Sequence, residues 1–270
     1  MVGNTAQATE AIVTARGGGI GQRMDFTLRR FNLLERSATV KRLVELSIRG
    51  VDVEPIPLCL GESKRAVLVS NYPAVYPTLR ALIKVGARFP GRGYRLKGIG
   101  RPEVIAEANT ILKVLGVDSV IFPVYKDEAG AYRMQKKVIQ DVVAYLRGEG
   151  NVLWVSITGT TRGNGLLEGD LRTGAALFST GNGVPIVPMG LVTREHKDTL
   201  RVVKVRFGEP IDPSPMKEIG DFERTDFLID LSRLALCRVA RLLPPGQRGD
   251  FEQVEEKLQE AESRLGVAKE

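Results

Sequence analysis

Short, uninterrupted apolar runs constrain the fold of this chain more than any other feature of its sequence. The first reads Ala-Val-Leu-Val-Ser at residues 66–70, and further runs follow at 120–124, 151–155 and 184–191. Runs that are this short and apolar throughout are typical of strands buried on both faces of a sheet. A further segment, 200–207, alternates apolar with basic residues near its end, which indicates a half-buried strand near a sheet edge.

Segments with helical periodicity lie before, between and after these runs. A short helix is predicted from about Gly174, and longer helices are predicted over 24–49, 102–115, 131–147, 224–243 and 250–265. Strands that alternate with helices favour an α/β fold with a mixed, largely parallel sheet flanked by helices. Because no internal repeat and no Pro/Ser-rich linker divides the chain, we expect a single main domain.

The sequence predicts four segments along the chain. Residues 1–23 are expected to form a flexible N-terminal tail, 24–50 an amphipathic helical lead-in, 51–245 the α/β domain and 246–270 an acidic C-terminal helix. The first segment has no continuous apolar core, which argues against a secretory signal, while its low acid content leaves an organellar transit segment open. No run approaches the ~20 apolar residues of a transmembrane helix. We therefore expect a cytoplasmic protein that is peripheral to a membrane.

The charge is distributed unevenly. The chain has 39 Lys and Arg against 32 Asp and Glu, a net charge of +7. Residues 63–102 contain no acid and nine cations, which are Lys64, Arg65, Arg80, Lys84, Arg88, Arg92, Arg95, Lys97 and Arg101. A basic face of this kind favours an anionic membrane or a phosphate-bearing lipid as partner, and a merely solvated face is the alternative. Nucleic acid is not favoured, because no recognisable binding module is present.

The small number of histidine and cysteine residues limits the chemistry. Cys59 and Cys237 lack metal-ligand spacing, and His196 is the only histidine. A multi-histidine metal site is therefore excluded, and we predict neither a metal nor a cofactor. His196 lies in the polar segment 193–198, which is typical of a hairpin turn, so we interpret it as a surface residue.

Loops that follow the apolar strands are the expected place for a ligand, because ligands gather at the carboxyl ends of parallel strands. Arginine grips phosphate with two hydrogen bonds, lysine offers a point charge, and the backbone N–H groups of a Gly-rich loop can surround an anion. The residues in these loops that we predict to bind a phosphate-bearing ligand are Asn71, Lys126, Thr158, Gly159, Thr160, Arg162 and Arg172. The alternative is that the cations among them are only surface charges.

The order of several short blocks resembles the glycerol-phosphate and lysophospholipid acyltransferase superfamily over about residues 40–245. The matching pieces are Ser70-Asn71, Val120-Ile121-Phe122, Gly159-Thr160, Val184-Pro185-Ile186-Val187-Pro188, Gly208-Glu209-Pro210-Ile211 and Leu243-Pro244-Pro245. The resemblance implies an acyltransferase-like domain over 51–245. It also implies a glycerolipid as acceptor and acyl-CoA or acyl-carrier protein as partner.

This chain departs from the family at the positions that carry catalysis. The family has a His general base and, five residues later, an Asp that orients it; Tyr72 and Pro77 stand at these positions, and Thr158 replaces a family Glu. A phenol, with a reference pKa of about 10, is a poor base at neutral pH, and proline cannot accept a proton. The resemblance therefore implies a degenerate relative that binds a phospholipid or an acyl-carrier ligand without standard acyl transfer.

Two alternatives remain open at the level of sequence. One is an active acyltransferase of glycerophospholipid synthesis that uses other groups, among them Ser70, Tyr72, Thr158 and Thr160. The other is a membrane-associated scaffold that has kept only the fold. Whether the protein is an enzyme is left open by the sequence.

Overall fold

The structure, a computed structural model, describes residues 49–57, 65–86, 88, 95–102, 121–127, 132–159, 164–168, 170–196, 199–213 and 221–266. The predicted N-terminal tail lies outside the described residues. The same holds for all but the last two residues of the lead-in over 24–50, and for nearly all of the helix predicted over 102–115.

Within these ranges the chain forms helices and strands in alternation. The strands are β1 (Asp52–Val53), β2 (Ala66–Ser70), β3 (Arg95–Gly100), β4 (Ile121–Pro123), β5 (Tyr125–Lys126), β6 (Tyr132–Arg133), β7 (Asn151–Ser156), β8 (Ile186–His196) and β9 (Thr199–Phe207). The α-helices are α1 (Val75–Gly86), α2 (Lys136–Arg147), α3 (Gly174–Asn182), α4 (Asp221–Leu242) and α5 (Val254–Arg264).

Seven strands form one mixed sheet in the order β1-β9-β8-β2-β7-β3-β4, while β5 and β6 form a separate hairpin. The strands β8, β2, β7, β3 and β4 are mutually parallel, β9 is antiparallel to β8, and β1 is parallel to β9. This arrangement confirms the predicted α/β class with a mixed, largely parallel sheet flanked by helices. The half-buried strand predicted over 200–207 is β9, the second strand from one side of the sheet.

Both faces of the sheet are covered, which explains why its central strands are apolar throughout. On one face Leu68 of β2 belongs to a core with Ala81 and Val85 of α1. On the other face Val67 of β2 shares a core with residues of α2, α3, α4 and α5, such as Val142 and Leu234. Every residue of β2 is buried, because successive side chains alternate between these two cores.

Five elements are absent from the sequence prediction: β1, α1, β3, β5 and β6. The helix α1 begins two residues before Pro77, so this proline lies in the first turn, where its missing N–H and fixed φ are tolerated. The strand β3 reads Arg-Leu-Lys-Gly-Ile-Gly, which is poor in strand-forming residues. In addition, the helix predicted over 131–147 begins only at Lys136, because Tyr132–Arg133 forms β6 instead.

The parallel strands end at the same side of the sheet, which we call the carboxyl edge. The helices α1, α2 and α3 all begin there, because each connects the carboxyl end of one strand to the amino end of a parallel one. Described cations of the basic stretch over 63–102 lie at both the amino and the carboxyl ends of the strands. Arg65 and Arg95 lie at the amino ends of β2 and β3, whereas Arg101 follows the carboxyl end of β3.

The acidic C-terminal segment packs against α4, and its charges are partly compensated there. Arg238 and Arg241 of α4 lie 3.6 Å from carboxylates of Glu262 and Glu255. Although α4 has 22 residues, no helix in the described part of the chain is both long enough and apolar enough to cross a bilayer.

Candidate ligand-binding site

A cavity of about 280 Å³ opens at the carboxyl edge of the sheet. Its apolar wall comes from strand ends, from the flanks of the β5–β6 hairpin and from two helices, and includes Ile99, Val124, Met134, Ile139, Leu177 and Phe178. Its polar side chains are Tyr72, Arg101, Ser156, Arg172 and Thr173. Among the described lining residues there are thus two arginines and no carboxylate. A concave, mostly apolar site with few polar groups is the usual form of a small-molecule site.

Trp154 and Tyr72 form a wall of the cavity that is anchored to the central strands. The Trp154 Nε1–H donates a hydrogen bond of 2.9 Å to Ser70 Oγ. The Tyr72 ring stands edge-on to the indole, with ring centroids 6.0 Å apart and an interplanar angle of 63°. A Cβ at Gly98 would lie 3.0 Å from Trp154 Cε3, so the glycine of β3 makes room for the indole. The site residue Tyr72 therefore depends on three neighbouring strands for its position.

Arg172 reaches the cavity from the loop before α3. Its backbone N–H donates to Ile157 O at 3.1 Å, which holds this loop against the residues after β7. Gly159 has a φ of +69°, and a Cβ there would lie 3.1 Å from Arg172 Cγ, so the arginine stem crosses directly over the glycine. The carboxylate of Asp170 is 3.9 Å from Arg172 and 90% exposed. Such a pair is weak in water, so the guanidinium can engage an anionic ligand.

The structure brings some of the predicted ligand-binding residues together and separates others. Of the predicted ligand-binding residues, Gly159 and Arg172 line the cavity, together with Tyr72 from the position of the family histidine. Lys126 is exposed on β5, and the buried Thr158 is not a lining residue. Thr160 and Arg162 lie outside the described residues.

Asn71 is held by backbone groups of the neighbouring strand. Its Nδ2 donates to Leu191 O at 3.0 Å, and its Oδ1 accepts from Leu191 N–H at 2.8 Å. The side chain is buried and lies away from the cavity lining. In this structure Asn71 therefore joins the carboxyl end of β2 to the middle of β8.

Arg101 lines the cavity but is not among the residues predicted to bind a ligand. It directly follows β3, a strand that the sequence pattern does not predict. Arg101 belongs to the basic stretch. The charge pattern alone does not distinguish it from the cations at the opposite edge of the sheet. Only the pairing of β3 with β7 and β4 brings it to the site.

The two residues that the predicted resemblance aligns with the family's catalytic dyad have different surroundings. Tyr72 lines the cavity, whereas Pro77 is buried in the first turn of α1. His196 is exposed at the end of β8, and Cys237 is buried in α4, where burial raises the pKa of its thiol to about 11. No imidazole, carboxylate, amine or thiol is found among the described lining residues. The described site thus holds no group that is a general base at neutral pH.

The comparisons with known proteins give no family assignment. The sequence matches no protein-family model and no curated protein. The acyltransferase resemblance therefore remains a prediction, and the functional argument depends on the geometry of the cavity.

Proposed function

We propose that this protein binds a phosphate-bearing lipid or an acyl-carrier ligand in the cavity at the carboxyl edge, without standard His/Asp acyl transfer. The observation that carries the proposal is an apolar cavity with Arg101 and Arg172 and no acid among its described lining residues. Apolar walls favour a hydrocarbon chain through removal of its surface from water. Guanidinium groups favour a phosphate through charge-assisted, bidentate hydrogen bonds.

The start of α3 supports an anionic group in the same place. Thr173 and Gly174 line the cavity, and Gly174 is the first residue of α3. The first turn of this helix contains no acid. Backbone N–H groups and the positive end of a helix dipole stabilise anions at such a position. Arg172 lies directly before this helix, so both contributions act on the same ligand group.

The resemblance to glycerolipid acyltransferases supports a ligand site of the same kind. Tyr72, which stands where the family has its histidine, lines this cavity, so the family's active-site position and the proposed ligand site coincide. The fold class agrees with the resemblance only at the level of an α/β sheet. We therefore propose a degenerate acyltransferase-like protein, with an active non-standard acyltransferase as the second candidate.

We expect no acyl transfer from acyl-CoA or acyl-carrier protein to glycerol 3-phosphate or lysophosphatidate. The described lining residues include no neutral-pH base, and loss of such a group typically costs about 10²–10⁴ in rate. The measurement is a radiolabelled acyl-transfer assay with a no-protein control. Turnover well above that control would favour the active acyltransferase.

Binding itself is measured through Trp154, because it is the only tryptophan and lines the cavity. Titration with a lysophosphatidate below its micellar concentration is expected to change the indole fluorescence saturably. Arg172→Ala should weaken this binding roughly 10- to 100-fold, since a hydrogen bond to a charged group contributes about 1.5–3 kcal/mol. A monoacylglycerol, which lacks the phosphate, should bind the wild type comparably weakly.

The control variant is Arg147→Ala, an exposed arginine at the end of α2 and away from the cavity. Its affinity should equal that of the wild type. If Arg172→Ala and Arg147→Ala both bind as tightly as the wild type, the cavity is not a phosphate site. The interpretation as a scaffold protein would then be favoured.

A further inference from the structure

The β5–β6 hairpin stands beside the opening of the cavity. Val124, directly before β5, and Met134, directly after β6, both line the cavity. Tyr125 of this hairpin is 43% exposed and is the one large hydrophobic side chain exposed in the described part of the chain. Lys126, the next residue, is exposed as well. Tyrosine side chains are enriched where proteins meet a membrane–water interface.

Further cations continue this surface into the start of α2. Arg133 of β6 is 77% exposed and pairs with Asp127 at 2.6 Å. Lys136 and Lys137 are exposed and form the beginning of α2, whose first turn contains no acid. The helix also begins without a side-chain capping hydrogen bond from Gln135.

The two lysines are unfavourable for the stability of α2. Cations at a helix N-terminus lie at the positive end of the helix dipole, where acidic residues are stabilising instead. Helix stability therefore gives no reason for lysines at positions 136 and 137. A negatively charged partner that covers this end of the helix would remove the repulsion.

We propose that the surface formed by Tyr125, Arg133, Lys136 and Lys137, here called the hairpin surface, docks on an anionic lipid bilayer. The charge of the surface complements anionic headgroups, and the ring of Tyr125 suits the interfacial layer. The bilayer is then also the source of the lipid that enters the cavity, a consequence that rests on the proposed function.

The test is the double variant Lys136→Glu/Lys137→Glu in the full chain. Co-sedimentation is measured with vesicles of phosphatidylserine and phosphatidylcholine, and with phosphatidylcholine vesicles alone, at low and high salt. The wild type should bind the anionic vesicles, and less so as salt rises. The variant should bind them at least roughly tenfold more weakly. Its thermal unfolding temperature should stay equal or rise, since glutamates favour a helix start.

A matched control places the same charge change at the opposite edge of the sheet. Lys84 and Arg147 lie in the last turns of α1 and α2. The variant Lys84→Glu/Arg147→Glu should keep vesicle binding near that of the wild type. Its unfolding temperature should fall, because cations are favourable at a helix C-terminus. Binding and stability are thus expected to change in opposite directions in the two variants.

The possible outcomes separate this proposal from the proposed function. Equal loss of vesicle binding in both variants would show that net charge, and not the hairpin surface, determines binding. Unchanged vesicle binding in the hairpin variant would show that another part of the chain docks. Either result overturns the proposal. Binding of an acidic carrier protein without any binding of vesicles would also overturn it. A wild type that binds vesicles through the hairpin surface, yet shows no lysophosphatidate titration, would retain this proposal and contradict the proposed function.

Discussion

Trp154→Ala is expected to lower the free energy of unfolding by about 3–5 kcal/mol, the usual cost of truncating a buried tryptophan. The indole is 6% exposed and belongs to the core that α1 covers. It packs over Gly98 on one side and meets the edge of the Tyr72 ring on another. The measurement is chemical denaturation followed by circular dichroism, because the variant contains no tryptophan.

Trp154→Phe is the matched control for this effect. It retains an aromatic ring but loses the hydrogen bond from Nε1 to Ser70 Oγ. We expect a loss clearly smaller than that of the alanine variant, with a contribution of about 1 kcal/mol from the hydrogen bond. If alanine and phenylalanine destabilise the protein equally, the packing role assigned to the indole is wrong.

The second large effect is expected at Asn71. Asn71→Ala removes the donor to Leu191 O and the acceptor for Leu191 N–H, which leaves two backbone groups without these bonds. Because each buried, unsatisfied group costs about 1–3 kcal/mol, we expect a loss of roughly 2–4 kcal/mol in the free energy of unfolding. The measurement is again chemical denaturation.

Two further variants make the Asn71 result specific. Asn71→Asp keeps an acceptor but loses the donor, so it should be destabilising as well. Asn164→Ala should be nearly neutral, because Asn164 is exposed and bonds locally to Leu166 N–H. The opposite pattern, unchanged stability of Asn71→Ala with lost lysophosphatidate affinity, would instead identify Asn71 as a ligand-binding residue.

The central strands of the fold are predictable from sequence because burial on both faces leaves an unambiguous apolar run. In β3 this signal is missing. Residue 98 is a glycine because the Trp154 indole leaves little room for a Cβ there. Lys97 is partly buried, and its Nζ lies 4.6 Å from the centroid of the Tyr145 ring. Both residues are explained by neighbours that are distant in sequence. A local pattern cannot show such neighbours, so β3 is found only in three dimensions.

The part of the candidate site that lies in loops after the parallel strands was predictable from the sequence. The rule that ligands gather after parallel strands brings Tyr72, Gly159 and Arg172 to one cavity. The same rule does not distinguish Asn71, whose side chain turns to the backbone of β8. It also misses Arg101, because that residue depends on a strand without a sequence signal. Cations that are close in sequence also lie far apart in the fold, since Arg65 and Arg95 lie at the amino ends of strands and Arg101 at a carboxyl end.

The outermost strand, β1, has a consequence for any shortened version of this protein. Its two residues pair with Lys204 and Val205 of β9, and Glu54 adds a backbone bond of 3.0 Å to Val205 O. The Glu54 carboxylate also lies 2.8 Å from Lys204 Nζ. A fragment that begins after Glu54 would leave Lys204 and Val205 of β9 without this pairing. An uncovered strand segment is a template for pairing with another copy, so we expect such a fragment to self-associate more readily than the full chain.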